Sequence, residues 1–378
     1  MHLKDFEVER YFAKYEFTAQ YLLSSSDCDG YSMNYVLNLA SDVEKEHWDT
    51  LKLGYTETVG SEPLRQAIKQ HYQTIALDEI VVSSPGEANF ILMNVVLNAG
   101  DHVICMAPMY QSLYQVAKDI GCFVSFWKPA KTENQWYYDP EDLKQLITSK
   151  TKLIVINFPH NPTGYSLTPA EFKQITEIAQ QNNILLFSDE MYRFLHHDTD
   201  QQLPSACDLY ENAISLWGTA KTFGLAGLRL GWLTSKNKEI LKKVEHFKDY
   251  LSICNSATSE LLGTIAINNM AKFVNPNLEK IKSNILLFEQ FHHRNADFFD
   301  FIKPNSGSTA FIKLTAKEPA LQFAERLVKD TGIMLLPSET FEYGESHARI
   351  GFGRENMPQI LEKFEVYINN NGKHYRTV

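Results

Sequence analysis

Ile214-Ser215-Leu216-Trp217-Gly218-Thr219-Ala220-Lys221-Thr222-Phe223-Gly224-Leu225-Ala226-Gly227-Leu228-Arg229-Leu230-Gly231-Trp232 holds two apolar segments separated by a loop of small residues. The first, Ala213 to Trp217, is short and reads as a buried strand. It breaks at Gly218. A single lysine, Lys221, then sits among small neutral residues with no carboxylate beside it, and eight positions later comes Arg229, held between Gly227 and Gly231. The second apolar segment runs to Leu233. A lysine in such surroundings can have its pKa lowered by desolvation and serve as an amine nucleophile or Schiff-base former. An arginine at a fixed distance suits a dianionic phosphate, gripped through two parallel hydrogen bonds. Taken alone, the same residues also fit a surface lysine beside a structural arginine.

On the N-terminal side of this run, strands and helices alternate. Strands are predicted at Glu79 to Ser84, His102 to Met106, Cys122 to Trp127, Lys152 to Asn157 and Ile184 to Ser188. Helices are predicted from Pro85 through Leu97, Glu141 to Thr148 and Pro169 to Gln181, and another begins near Ser61 with Pro63 just inside it. Such alternation implies an α/β fold with a mostly parallel central sheet covered by helices on both faces. Ligands of these sheets bind at the carboxyl ends of the strands.

Beyond Ser235 come helical patterns at Asn237 to Lys248 and Ser256 to Met270, then one long helix from about 275 to 297. The remainder carries strands near Thr309 to Leu314 and His347 to Phe352, and helices at Pro319 to Asp330 and Met357 to Asn369. That pattern predicts a smaller α+β domain, completed by the N-terminal arm, whose residues 3 to 17 read as an amphipathic helix. Ser24 to Gly30 reads as a turn, because it lacks the calcium-loop spacing.

At 378 residues the chain exceeds one ordinary domain. Its 44% hydrophobic and 22% charged content is that of a soluble globular protein. The net charge of −10, without a basic block, argues against a nucleic-acid partner. No apolar run approaches the roughly 20 residues that cross a bilayer, and Met1 to Arg10 lacks the form of a signal peptide. Five scattered cysteines predict no disulfide framework and a reducing cytoplasm. His196-His197 and His292-His293 lack metal-site spacing and read as exposed pairs, and no metal is expected.

Several short strings carry chemistry. Gly86-Glu87-Ala88 sits at a strand-to-helix turn, where free backbone N–H groups and the helix dipole can hold a phosphate. Tyr110 follows a strand and offers a ring that can stack on a flat cofactor or pack in the core. Asn157-Phe158-Pro159-His160-Asn161-Pro162-Thr163-Gly164 is the most specific string and, read plainly, a tight loop. Asp189 ends a buried strand, where a carboxylate needs a positive partner or caps the turn that follows. Glu190 beside it reads as structural.

In their order along the chain these strings resemble the class I/II aminotransferases, pyridoxal-phosphate enzymes of the aspartate-aminotransferase-like fold type. The N-terminal arm, with Tyr21 to Ser26, resembles that of the capreomycidine-synthase-like branch. The resemblance implies that Lys221 forms the internal aldimine and moves the substrate α-proton. It implies that Asp189 pairs with the pyridine nitrogen, that Asn161 and Tyr192 share the phenolic oxygen, and that Tyr110 stacks on the ring. Gly86, Glu87, Ala88 and Arg229 would bind phosphate, joined by Tyr55 from the other subunit of a homodimer. Arg349, in Ser346 to Phe352, would take the substrate α-carboxylate beside Asn161, with Arg354 a nearby competitor. Arg229 would be helped at the phosphate by Thr222 or Thr219; the family often has serine three residues before the lysine, where this chain has Gly218, and Thr219 is expected to substitute.

On this reading residues 1–45 are the arm, 46–285 a large cofactor-binding domain and 286–378 a small C-terminal domain. The implied reaction is amino transfer between an α-amino acid and a 2-oxo acid. Elimination, replacement or cyclisation on the same cofactor, as in capreomycidine synthase, begins with the same deprotonation. A non-catalytic effector-binding role is the alternative of another class.

Overall fold

The apolar runs between residues 80 and 234 assemble into one seven-stranded sheet: β1 (Ile80–Ser83), β2 (His102–Met106), β3 (Phe123–Trp127), β4 (Thr151–Asn157), β5 (Leu185–Asp189), β6 (Ala213–Gly218) and β7 (Gly231–Thr234). A computed structural model describes residues 3–132, 135–315 and 318–371, so the last seven residues expected in the C-terminal domain lie outside the described residues. The strand order is β1-β7-β6-β5-β4-β2-β3. The pairs from β6 to β3 are all parallel, while β7 runs antiparallel to both β1 and β6. Strands β2, β6 and β7 are buried at every position. That burial explains why they read as unbroken apolar runs rather than alternating ones.

Register brings the carboxyl ends of three strands level, with Asn157 opposite Asp189 and Asp189 opposite Leu216. Beside them starts a helix after β1 (Pro85–Val96), with Pro85 in its first turn. Proline is suited to that position because the N–H it lacks would have no partner inside the helix.

A second, antiparallel sheet holds β8 (Phe299–Asp300), β9 (Thr309–Leu314), β10 (Leu336–Pro337) and β11 (His347–Gly351), in the order β8-β9-β11-β10. The N-terminal arm is laced to it. Tyr21 N donates to Gly332 O at 2.9 Å, Met334 N to Tyr21 O at 2.9 Å and Gly351 N to Leu23 O at 2.7 Å. A Cβ on Gly351 would stand 1.6 Å from Ser25 O, so the close approach of the arm requires glycine there. The arm opens with helix α1 (Glu7–Tyr15), as its amphipathic pattern predicts.

The long helix is continuous from Ala271 to Arg294, so the domain boundary expected after residue 285 falls inside it. Two short helices, Met33–Asn38 and Asp42–Thr50, went unread in the sequence. Their side-chain caps at Ser32 and Ser41 define them, and each is too short to show a clear apolar period. No helix among the described residues is long and apolar enough to cross a membrane.

Candidate active site

A cavity of about 520 Å³ opens over the carboxyl ends of β4, β5 and β6. Asp189, 6% exposed, points onto its wall. Its Oδ1 accepts from Met191 N at 3.0 Å, which is the turn-capping contact. No cation among the described residues lies within ion-pairing distance. Burial pushes its carboxyl up to about 7; the Met191 N–H opposes the shift, Glu190 adds to it and Lys221 counters it. A carboxylate so placed calls for a cationic ligand group. Tyr192, 3% exposed, lines the same wall with a hydroxyl that has no hydrogen-bond partner among the described residues.

The asparagines form a small scaffold. Asn157 Nδ2 donates to Asp189 O at 2.9 Å, and Asn157 Oδ1 accepts from Asn161 N at 2.9 Å. Asn161 Oδ1 in turn accepts from Arg349 Nη1 at 3.0 Å. His160, in the same loop, bonds Thr163 Oγ1 at 2.6 Å and Pro108 O at 2.7 Å, and burial lowers its pKa to about 3. It stays neutral and ties this loop to the one bearing Tyr110.

Arg349 is 2% exposed and has no carboxylate partner among the described residues. Its Nε and Nη2 donate to Ser24 O at 3.1 and 2.9 Å, and its guanidinium lies near the Phe12 and Phe341 rings. Burial lowers its pKa. Arg354 is not a competitor: it is paired with Asp27 at 3.1 Å and Asp29 at 3.4 Å.

Lys221 reaches the cavity from the loop after β6, and its Nζ donates to Ser26 Oγ at 2.9 Å. Arg229 adopts φ 52°, the left-handed region that costs a branched or bulky residue energy, and its exposed side chain reaches the cavity rim. Its Nη1 donates to Ala226 O at 3.1 Å.

The phosphate cup differs from expectation at Thr219, Thr222, Glu87 and Ala88. Thr219 does not line the cavity; its hydroxyl is fully buried near Leu230 O at 3.2 Å and Leu225 O at 3.4 Å. Thr222 is likewise turned inward, donating to Arg193 O at 2.7 Å. At Gly218 a Cβ would stand 2.8 Å from Gly231 Cα and Leu230 O, so the β6–β7 pairing leaves no room for the family serine. Gly86 lines the cavity, but Glu87 and Ala88 do not. Glu87 Oε2 accepts from Ser83 Oγ at 2.9 Å and its Oε1 from Ser252 N at 3.1 Å, while Ala88 N donates to Ser84 O at 2.9 Å.

Tyr110 lines the cavity, with its hydroxyl on Glu9 Oε1 at 2.5 Å. Tyr55 stands 89% exposed, away from this chain's own cavity. Glu190 is structural: its oxygens accept from Ser205 Oγ at 2.8 Å and Ala206 N at 2.9 Å. His196 and His197 are not an exposed pair. His196 is buried against Ser166 Oγ, and His197 bonds the backbone of Pro304 and Gly307.

Sequence reading missed the contribution of the arm. Val8, Glu9, Phe12 and Glu16 from α1 and its cap, with Ser25, Ser26 and Asp27, close one side of the cavity. The spacing of Glu9, Phe12 and Glu16, on one helical face, was the available signal.

The wall suits pyridoxal phosphate. The unpaired Asp189 fits its ring nitrogen, the unpartnered Tyr192 hydroxyl and the Asn161 amide fit its ring oxygen, and the N-terminus at Gly86 with Arg229 fits its phosphate. The comparisons agree. A family model for aminotransferase class I and II matches residues 18–364. Capreomycidine synthase of Streptomyces vinaceus is 26% identical over 377 residues, covering 99% of this chain and 94% of its own. An aspartate aminotransferase of Sulfurisphaera tokodaii is 28% identical over 356 residues, 87% of this chain and 86% of its own. The crystal structure of a PLP-dependent aminotransferase from Streptococcus suis superposes with TM-score 0.90 at 26% identity, covering 98% of this chain and 99% of its own.

Proposed function

The chain belongs to the class I and II aminotransferases, pyridoxal-phosphate-dependent enzymes, and from that premise we propose that it moves an amino group between an α-amino acid and a 2-oxo acid. The observation that carries this reading is the convergence of Lys221, Asp189, Tyr192 and Arg349 on one cavity. Pyridoxal phosphate, when bound, supplies an electrophilic carbonyl and a ring that accepts the electron pair left at Cα. The chain's own groups do the rest. Arg349 binds the substrate α-carboxylate through paired N–H donors and so fixes which bond at Cα faces the ring. Lys221 Nζ would take the Cα proton and deliver it to the cofactor's carbonyl carbon, across the amino nitrogen, with Ser26 holding the amine at the cavity. Asp189 would keep the ring nitrogen protonated, and Tyr192 and Asn161 would hold the ring oxygen.

We place the active protein as a homodimer. Tyr55 and Leu53, 89% and 83% exposed, suit a neighbouring subunit better than water, and Tyr55 would reach that subunit's phosphate. Free and largely buried cysteines suit a cytoplasmic setting.

The test is the visible absorption of the protein with pyridoxal phosphate, wild type against Lys221→Ala, as amino acids are titrated in. A Lys221-dependent band that converts to the aminated cofactor with one amino acid supports transfer. A band that never converts, with a β-substituent lost or a ring formed in the substrate, favours elimination or cyclisation; the relative named capreomycidine synthase, aligned along 99% of this chain, keeps that second reading open. Absence of any such band removes Lys221 from its role.

A further inference from the structure

A second cavity, of about 580 Å³, opens between the end of the helix Glu62–Lys69 and the segment that follows β5. His71, Tyr72, Arg193, Phe194 and Leu203 stand on its wall, and none of them lines the first cavity. Arg193 is 7% exposed. Its Nη2 donates to His71 O at 2.7 Å, while Nε and Nη1 are buried without a hydrogen-bond partner among the described residues. Its guanidinium carbon lies 4.7 Å from the centre of the Tyr72 ring, 4.8 Å from that of Phe194 and 5.3 Å from that of Trp217. Those ring faces steady the cation and leave the donors along its edges unmet. Glu190 feels its charge from a distance, but the Glu190 oxygens are taken by Ser205 Oγ and Ala206 N.

Unmet buried donors are costly. A guanidinium that has spent a single N–H keeps a complete edge of paired donors, the counterpart of a planar carboxylate. Nothing else on the wall competes for that ligand. Asp208, the acid there, is engaged by Thr74 N at 2.8 Å, Thr74 Oγ1 at 2.9 Å and Gln73 N at 3.1 Å. Burial, and after it the Arg193 charge, lowers the pKa of His71, so its imidazole is neutral and Arg193 is the cation of this wall. The space is far larger than an inorganic anion fills and falls in the range of organic ligands.

The two cavities share one turn. Met191 and Tyr192 line the first, Arg193 and Phe194 the second. Met191 N caps Asp189 at 3.0 Å, and the hydroxyl of Thr222, next to Lys221, donates to Arg193 O at 2.7 Å. A ligand that draws on Arg193 therefore pulls on the backbone that places Asp189 and Lys221. We propose that the second cavity is an effector site for a small organic carboxylate, gripped by Arg193 with its apolar body against Leu203 and Pro204. Binding there biases the cofactor wall through the shared turn. The site does not depend on which reaction the first cavity performs.

Benzoate is the probe, with uncharged benzamide as a control of nearly the same shape, and calorimetry of the holoenzyme gives the dissociation constants. A binding event is expected that benzamide lacks and that Arg349→Lys, which alters the first cavity, leaves intact. Arg193→Gln should weaken it about tenfold or more. Gln202, exposed on the rim, gives variants that leave the core untouched: Gln202→Glu should weaken benzoate and Gln202→Lys should tighten it. Benzoate should also shift the visible band of the bound cofactor, and the shift should vanish in Arg193→Gln. Benzoate bound no better than benzamide, or equally well by wild type and by the Arg193 and Gln202 variants, overturns the site. Benzoate bound through Arg193 with the cofactor band unmoved overturns the effector role.

Discussion

Lys221 Nζ donates to the hydroxyl of Ser26 at 2.9 Å, a contact between residues 195 positions apart. Ser26 belongs to the arm laced onto the smaller sheet, and its carbonyl accepts from Ser308 Oγ at 2.7 Å. The arm therefore holds the Lys221 amine as well as closing the cavity. Ser26→Ala should lower kcat/KM by about tenfold, the usual worth of a hydrogen bond to a charged group, while cofactor content stays full. Steady-state kinetics with the cofactor absorbance as control would measure it. Unchanged kcat/KM would mean that the contact does not survive into the working enzyme.

Gly218 stands where related enzymes often have serine, and restoring that serine should do harm. Its Cβ would press on Gly231 Cα and Leu230 O, both backbone atoms that cannot swing away. Gly218→Ser should cost about 1–3 kcal/mol, the range for overpacking a filled site, and should not tighten cofactor binding. Urea denaturation with a cofactor titration decides the matter. A variant of wild-type stability with tighter cofactor binding would show that β6 and β7 can separate.

Asp189 gives the cofactor-free protein a pH signature. Its carboxyl rises from the ordinary 3.8 to about 7 on folding, chiefly through burial. Between those values the folded chain holds a proton that the unfolded chain has released. Stability is therefore greatest at the acid end of that window and is lost as pH rises through it. The melting temperature of the cofactor-free protein, relative to Asp189→Asn, should fall from pH 4 to pH 7. Adding pyridoxal phosphate should flatten the slope, because a protonated ring nitrogen keeps the carboxylate ionised. An identical pH dependence in wild type and Asp189→Asn would show that Asp189 finds a cation within the chain itself.

The inner strands of the larger sheet were legible because burial on both faces writes an apolar run that needs no knowledge of neighbours. Lys221 and Asp189 stood out through the local chemistry of their strings, and Asn161 and Arg349 only through the family resemblance that their strings carry. Ser26, Glu9 and Glu16 were not. An amphipathic helix declares which face it buries, but not that its polar edge overhangs a cavity formed two hundred residues later. Thr219 was misjudged for the complementary reason, since the β6–β7 pairing that turns its hydroxyl inward involves Leu230, beyond the loop. His196 and His197 look like a solvent-facing pair until the backbone at 304–307 covers them.

Arg349 separates recognition of the backbone carboxylate from recognition of the side chain. Lysine in its place keeps a charge and enough donors for Ser24 O and Asn161 Oδ1, the groups that Arg349 now satisfies. What it loses is the planar fork that meets a carboxylate through two parallel bonds. Arg349→Lys should therefore raise KM by roughly 10- to 100-fold, the range for a charged hydrogen bond. Because the lost contact is to a group every amino acid shares, the penalty should be the same for any two amino-acid substrates that differ only in their side chains. KM values for both substrates, in wild type and variant, are the measurement. A penalty confined to one of them would place Arg349 at the side chain and leave the α-carboxylate without an anchor.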